Sequence, residues 1–204
     1  MTTQNDQAPT VFIVDDDAAI RFAMQALMDS VNLDHDLYGS GDEFLEKMTD
    51  QRPGCLVLDI RMPGLGGLEL QEELIKRGNT LPIIFITGHG DVPMAVEAMQ
   101  KGAVDFIQKP FRDQELLDRI REALATDEER RVAQQHHAEV AGRLDRLTNR
   151  EREVFDLVVT GKPNKVIAYE LGVSQRTVEI HRARVMEKMQ ARSLADLVKM
   201  HMTA

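Results

Sequence analysis

The sequence predicts an α/β domain followed by an all-α domain. The first is a doubly wound, five-stranded parallel sheet over residues 10–125. A helical linker over 126–147 then leads to a four-helix, helix-turn-helix domain over 148–204. Three observations carry this reading. Short apolar runs alternate five times with helical patterns, which implies a parallel sheet covered by helices on both faces. Runs such as Leu56-Val57-Leu58 are continuously apolar, as strands buried on both faces are. The C-terminal stretch carries four successive helix start signals, two of them joined through Gly172-Val173-Ser174.

The elements follow in order. Val11 to Val14 is a strand ending in Asp15-Asp16-Asp17. Ile20, Met24, Leu27, Met28 and Val31 have helical spacing. His35 to Tyr38 is a weaker strand, and Phe44, Leu45 and Met48 mark a short helix. The Leu56–Leu58 strand ends in Asp59-Ile60-Arg61-Met62-Pro63-Gly64, and a helix over 66–76 carries Leu68, Leu70 and Leu74. Ile83 to Ile86 is a fourth strand ending in Thr87-Gly88-His89-Gly90. Asp91 is placed to cap a helix over 92–101, with Pro93 in its first turn and Gly102 at its end. Val104 to Ile107 is a fifth strand ending in Gln108-Lys109-Pro110. Leu116, Leu117, Ile120 and Leu124 mark the last helix of the domain. No GxGxxG or phosphate-binding loop is present, which disfavours nucleotide binding.

Composition narrows the class. The chain has 204 residues, 43% hydrophobic but only 4% aromatic with no Trp, so its cores are Leu, Val, Ile, Met and Ala. No apolar run approaches the length of a membrane span, and Met1 to Pro9 lacks a signal pattern. A cytoplasmic protein with no membrane partner is expected. Cys55, the only cysteine, reads as a core residue. The net charge of −9 is uneven: residues 1–125 carry 22 acidic and 11 basic side chains, whereas 148–204 carry 7 and 10. Only the tail domain therefore suits a polyanion.

The strand ends define the candidate site. By itself, Asp59 either caps the following helix or lies where open α/β sheets bind their ligands, beyond the carboxyl ends of the strands. The other strand ends favour the second reading, since Asp15, Asp16, Asp59, Thr87 and Lys109 share one sheet edge. Clustered carboxylates repel unless a cation joins them. Hard oxygen donors in a small hydrated site suit Mg²⁺. With a lysine and a hydroxyl nearby, Asp59 becomes a nucleophile for a phosphoryl group.

These residues resemble the response-regulator receiver family, and Thr87-Gly-His-Gly-Asp-Val-Pro-Met-Ala-Val-Glu-Ala-Met99 resembles its FixJ type. The resemblance implies a flavodoxin-like sheet with strand order 2-1-3-4-5. It makes Asp59 the phosphoacceptor, Asp16 the direct Mg²⁺ ligand, Asp15 a water-mediated partner and the Arg61 backbone carbonyl the remaining ligand. Thr87 and Lys109 match the residues that contact the phosphoryl group. Phe106 takes the switch aromatic position, which is Tyr in many receivers. The resemblance also implies a cis Lys109-Pro110 bond and a dimer interface on helix 92–101, with Val96 and Gln100 as candidates. His89 is expected to be exposed. Met24, Met28, Met48, Met94 and Met99 are expected to fill core or interface.

Residues 126–147 lack Pro and hold only Gly142, which favours a helix. Val132, Val140, Leu144 and Leu147 form a sparse apolar line, and His136-His137 read as solvated. Beyond it, Thr148 and Glu151 form a capping box. Pro163 starts a second helix closed by Gly172. Ser174 caps a third, to about Gln190, and Ser193 with Asp196 caps a fourth. On the third helix Val178, Val185 and Met189 face inward, while Arg176, Ile180, Ala183, Arg184 and Glu187 face outward. An outward Ile180 among small and basic residues suits a helix in the major groove, where apolar groups touch thymine methyls. A plainly solvated helix is the alternative.

Leu147-Thr-Asn-Arg-Glu-Arg-Glu-Val154, Pro163-Asn-Lys-Val-Ile-Ala168 and Val173-Ser-Gln-Arg-Thr-Val-Glu-Ile-His-Arg-Ala-Arg-Val-Met-Glu-Lys-Met189 resemble the DNA-binding domain of NarL/LuxR-type regulators. The candidate DNA contacts are Lys165, Ser174, Arg176, Thr177, Glu179, Ile180, His181, Ala183, Arg184 and Lys188. Glu179 stands where Lys is common in the family. The resemblance implies a non-enzymatic, phosphorylation-dependent transcription activator. Its partners would be a histidine kinase, double-stranded DNA, RNA polymerase and, once phosphorylated, a second copy of itself.

Overall fold

The computed structural model describes residues 8–48, 52–88 and 92–203. The expected Asp91 cap and the exposed His89 lie outside the described residues. The chain divides between Arg130 and Arg131 into two units.

The first unit alternates strands and helices: β1 (Thr10–Val14), α1 (Ala18–Ser30), β2 (His35–Tyr38), α2 (Gly41–Lys47), β3 (Gly54–Asp59), α3 (Gly67–Lys76), β4 (Ile83–Thr87), α4 (Val92–Gln100), β5 (Asp105–Gln108) and the first part of α5 (Asp113–Leu144), which ends in the second unit. All strand pairs are parallel, in the order β2-β1-β3-β4-β5. The sheet has that order because β1, β3 and β4 are buried along their whole length, whereas β2 and β5 are only partly covered and form the edges.

Successive side chains point to opposite faces of a strand, so each apolar run feeds two cores. Phe12, Val14, Leu56, Leu58 and Phe85 pack with Phe44 and Leu70 on one face. Val11, Ile13, Cys55, Val57, Ile84 and Ile86 pack with Met28, Leu116 and Ile120 on the other. Each fully buried large side chain stabilises the fold by about 1.5–3 kcal/mol relative to exposure. Burial also pushes the Cys55 thiol up to about 12, which removes its thiolate reactivity. Gly67 lets α3 start directly against β3, since a Cβ there would lie 2.3 Å from the Asp59 carbonyl oxygen.

Several boundaries differ from the sequence expectation by one or two residues, and one helix is longer. The strand β5 starts one residue later than expected, although the Val104 amide already donates to the Ile83 carbonyl at 2.8 Å. The last helix expected in the first domain and the expected linker helix are one element, α5. No proline interrupts it, and its apolar positions serve two cores. Leu116, Leu117 and Ile120 pack in the first unit, and Val140 and Leu144 in the second. Val132 between them is exposed.

The second unit adds α6 (Asn149–Val159), α7 (Asn164–Leu171), α8 (Gln175–Met189) and α9 (Leu194–Thr203). The Thr148 amide donates to Glu151 Oε2 at 2.8 Å and the Glu151 amide to Thr148 Oγ1 at 3.3 Å, closing the capping box. Gly172 takes the left-handed conformation (φ 64°) that ends α7. Ser174 accepts from the Thr177 amide to start α8. Phe155, Val158, Ile167, Val178, Val185, Met189 and Leu197 fill the core.

Candidate functional site

Parallel strands bring Asp15, Asp59 and Thr87 to one edge of the sheet, and all three are buried. Lys109 follows β5 on the same edge. Its ammonium lies 2.9 Å from Asp15 Oδ2 and 2.9 Å from Asp59 Oδ1. The remaining oxygens are also engaged: Asp59 Oδ2 accepts from the Arg61 amide at 3.2 Å and Asp15 Oδ1 from the Asp17 amide at 2.8 Å. The Lys109-Pro110 bond is cis.

One ammonium faces two buried carboxylates. Burial raises the pKa of Asp59 despite the opposing bond from Lys109. Burial works against the Lys109 charge too, but bonds to Asp59 and Asp15 outweigh it and raise the ammonium. An ion pair alone would lower its acid. At Asp59 the cost of burying the charge therefore exceeds what the bond from Lys109 returns.

The three consecutive aspartates divide their roles. Asp15 points into the site, Asp17 caps α1 by accepting from the Ala19 amide, and Asp16 is exposed. Asp16 lines a cavity of about 640 Å³ with Arg61, Met62 and Glu69. Asp59 does not cap the following helix: the N-cap of α3 is Gly66, which has no side chain to offer, and Glu69 accepts from the Gly66 amide.

The sequence expectation groups three carboxylates, Asp15, Asp16 and Asp59, at this edge, and in the structure two of them are buried. Among the described residues no three acidic, histidine or cysteine side chains stand ready to hold a metal. The ammonium of Lys109 bridges Asp15 and Asp59, and Asp16 stands in solvent. The donor chemistry nevertheless fits Mg²⁺, because the hard carboxylate oxygens of the buried Asp15 and Asp59 and the exposed Asp16 suit a small, partly hydrated divalent cation.

Thr87 donates through Oγ1 to the Gly88 carbonyl at 3.3 Å. Its own carbonyl accepts from the Lys109 amide at 2.7 Å, so Thr87 and Lys109 are joined through the backbone. Val96, Met99 and Gln100 on α4 and Phe106 on β5 are all exposed. Val96 at 50% and Phe106 at 41% are large exposures for apolar groups on neighbouring elements.

In the second unit, Arg176, Glu179, Ile180, Ala183 and Arg184 are exposed along one face of α8, and Lys165 is exposed on α7. Ile180 is 48% exposed. Ser174 and Thr177 are tied to each other at the start of α8. His181 is half-buried, with Nδ1 buried and unpartnered.

Lys188 departs from the expectation. Its ammonium lies 2.5 Å from Glu151 Oε2 and 3.0 Å from the Arg146 carbonyl, so it braces α8 against the start of α6 rather than reaching outward. The sequence reading missed Glu151 as its buried partner. It also missed Arg21, which donates to the Asp15 carbonyl at 2.6 Å. The capping box signalled a role for Glu151 in its helix start, but no spacing signal links it to Lys188, 37 residues away.

A doubly wound sheet with paired acids and a lysine at its strand ends, followed by a helix-turn-helix unit, defines a response regulator with a DNA-binding output domain. Comparison with known families agrees. The profile described as response regulator receiver domain matches residues 11–121, and that of bacterial regulatory proteins, luxR family, matches 145–201. The chain belongs to the two-component response regulators with a LuxR-type DNA-binding domain, a family of transcriptional regulators. It is 48% identical to nodulation protein W of Bradyrhizobium diazoefficiens over 98% of this chain and 88% of that one. It is 45% identical to the transcriptional regulatory protein FixJ of Azorhizobium caulinodans, over 95% of this chain and 92% of that one. A solved structure of the response regulator StyR aligns with a TM-score of 0.90 at 43% identity, covering 97% of this chain and all of that one. No helix among the described residues is long and apolar enough to cross a membrane.

Proposed function

We propose that Asp59 accepts a phosphoryl group from a partner histidine kinase, that phosphorylated receivers pair, and that the paired output domains bind DNA and activate transcription. In this reading residues 10–125 are the receiver, 126–147 the helical linker and 148–204 the DNA-binding domain. The observation that carries it is the Lys109 ammonium, held 2.9 Å from the buried carboxylates of both Asp15 and Asp59.

The chemistry follows from that arrangement. An Asp59 oxygen attacks phosphorus, an oxygen–phosphorus bond forms, and the bond from phosphorus to the donor's imidazole nitrogen breaks. Lys109 then faces the phosphoryl oxygens as a fixed positive charge. Asp15, Asp16, Asp59 and the Arg61 carbonyl would hold Mg²⁺, which when bound supplies further positive charge to the transferring oxygens. The Thr87 hydroxyl turns to the phosphoryl group, and Phe106 moves with it. The α4 face, with Val96 and Gln100, then pairs with a second copy.

Three measurements test this reading. Mg²⁺ should raise the unfolding temperature of the wild type, because a ligand that binds only the folded state stabilises it. Asp16→Ala should need roughly tenfold more Mg²⁺ for the same rise. An unchanged titration would remove Asp16 from the metal site. Light scattering should find a dimer in beryllofluoride and a monomer without it, and Val96→Asp should stay monomeric in both.

The α8 face predicts two kinds of DNA defect. Arg184→Ala should weaken binding to all sequences alike and reduce the salt slope by about 1, as a phosphate contact does. Changes at Arg176, Glu179 or Ile180 should instead shift the preferred sequence, at about 1–3 kcal/mol per lost base contact. Selection from random DNA distinguishes these effects. RNA polymerase is the partner that transcription activation requires, and an in vitro transcription assay with beryllofluoride tests it.

A further inference from the structure

Each polar group of Asp15 has a partner. Its amide donates to the Tyr38 carbonyl at 3.3 Å, and its carboxylate oxygens accept from the Asp17 amide and the Lys109 ammonium. Its carbonyl accepts from Arg21 Nη1 at 2.6 Å. The phosphoryl chemistry above has no use for that carbonyl. Yet it receives a charged donor, the kind that makes the shorter and stronger hydrogen bonds. Arg21 is half-buried in the first turn of α1. Its own amide donates to the Asp17 carbonyl at 3.0 Å, and Asp17 caps the helix through the Ala19 amide at 2.8 Å. The guanidinium and the Glu43 carboxylate flank Gly39, where a Cβ would stand 3.8 Å from Arg21 Cζ and 3.5 Å from Glu43 Oε2. The side chain is therefore held at both ends.

The carbonyl that Arg21 holds belongs to the peptide unit between Asp15 and Asp16. That unit is planar, so the direction of the carbonyl sets the plane that carries the Asp16 nitrogen and Cα. Asp15 does not depend on this bond, because three others hold it. Asp16 is exposed, and its side chain leaves from the backbone that Arg21 orients. We infer that Arg21 is a positioning residue for the divalent cation. It does not touch the metal, and it sets the peptide plane from which Asp16 reaches it. This role rests on the proposed Mg²⁺ site and adds to it a residue on which its affinity depends.

Two effects of Arg21 oppose each other. Its positive charge repels a cation from the acidic edge, whereas its bond preorganises one of the cation's ligands. Removing a group that orients a metal ligand typically weakens binding by about 10–100-fold. The charge of a half-exposed guanidinium is screened by solvent. Positioning is therefore the larger effect. Loss of Arg21 weakens Mg²⁺ binding even though it makes the edge more negative.

The test titrates the full-length protein with Mg²⁺ and reads the midpoint from the rise in unfolding temperature. Arg21→Ala should raise that midpoint roughly tenfold. Arg21→Lys, whose ammonium can still donate to the Asp15 carbonyl, should recover part of the loss. A lower midpoint in Arg21→Ala is what loss of charge alone produces, and it overturns the role. So does a lower unfolding temperature without Mg²⁺ and an unmoved midpoint, the result of a merely structural side chain. The Asp16→Ala background makes the test specific. There Arg21→Ala should move the midpoint by no more than about twofold, because the ligand it positions is gone. An equal loss in both backgrounds overturns the role. A wild type that does not respond to Mg²⁺ overturns the metal site and the role together. A wild type that responds, matched by Arg21→Ala, overturns the role and leaves the metal site standing.

Discussion

Asp59→Asn is expected to take up no acid-labile label from acetyl phosphate and Mg²⁺, under conditions in which the wild type is labelled. The geometry makes the loss complete rather than partial. Of the acids at this edge, Asp15 is buried with one oxygen on the Asp17 amide and the other on Lys109. Asp16 is exposed. Neither can stand in for Asp59, and an amide oxygen is a poor nucleophile for phosphorus. Labelling of the variant at the wild-type level would end the assignment.

The same variant carries a stability signature. Burial raises the Asp59 pKa above 3.8, so the ionised group opposes folding, and that cost grows as pH rises through the folded-state value. Asp59→Asn should therefore unfold at a higher temperature than wild type at pH 7. The advantage should disappear below about pH 3.8, where the wild-type carboxyl is protonated in both states.

Lys188→Met is expected to destabilise the output domain by about 1–3 kcal/mol, because removing the one-third-exposed Lys188 strands a buried carboxylate. Glu151 is the stranded group, at 2% exposure. Without Lys188 its carboxylate keeps only the bonds of the Thr148 cap. The Lys188 bond, with help from the Thr148 amide, holds Glu151 down at about 2. A depressed carboxylate stabilises the fold above its unfolded value and loses that contribution as pH falls. The wild-type domain should therefore weaken between about pH 4.5 and 2, and Lys188→Met should lose most of that segment and keep the part that the Thr148 bonds supply. The double variant Glu151→Gln with Lys188→Met should recover much of the lost stability, since no buried charge remains. Thermal unfolding of the full chain measures all of these. An unchanged transition in Lys188→Met, together with a DNA salt slope reduced by about 1, would return Lys188 to the nucleic-acid face.

The same two residues mark the limit of what the chain alone discloses. Local patterns were legible because they are local. The capping box at Thr148, the left-handed Gly172 and the Ser174 cap each depend on residues within one helical turn. The alternation of apolar runs and helical patterns announced a parallel sheet, and a parallel sheet gathers strand ends on one edge. Asp15, Asp59, Thr87 and Lys109 could thus be grouped before any coordinate was known. The continuity of α5 was half-legible: the composition of 126–147 favoured helix, but the division of its apolar residues between two cores depends on neighbours far away in the chain.

By itself, then, the sequence determined the order of elements, their caps, the class of fold and the membership of the acidic edge. These follow from backbone geometry and side-chain period. Only the tertiary structure decided that Asp15 turns inward while Asp16 faces solvent, that Lys109 bridges two acids, and that Lys188 is spent on Glu151. Each of these depends on side-chain direction and on residues distant in the chain. A charge's role is set by what lies within a few ångströms of it, and sequence spacing does not encode that distance.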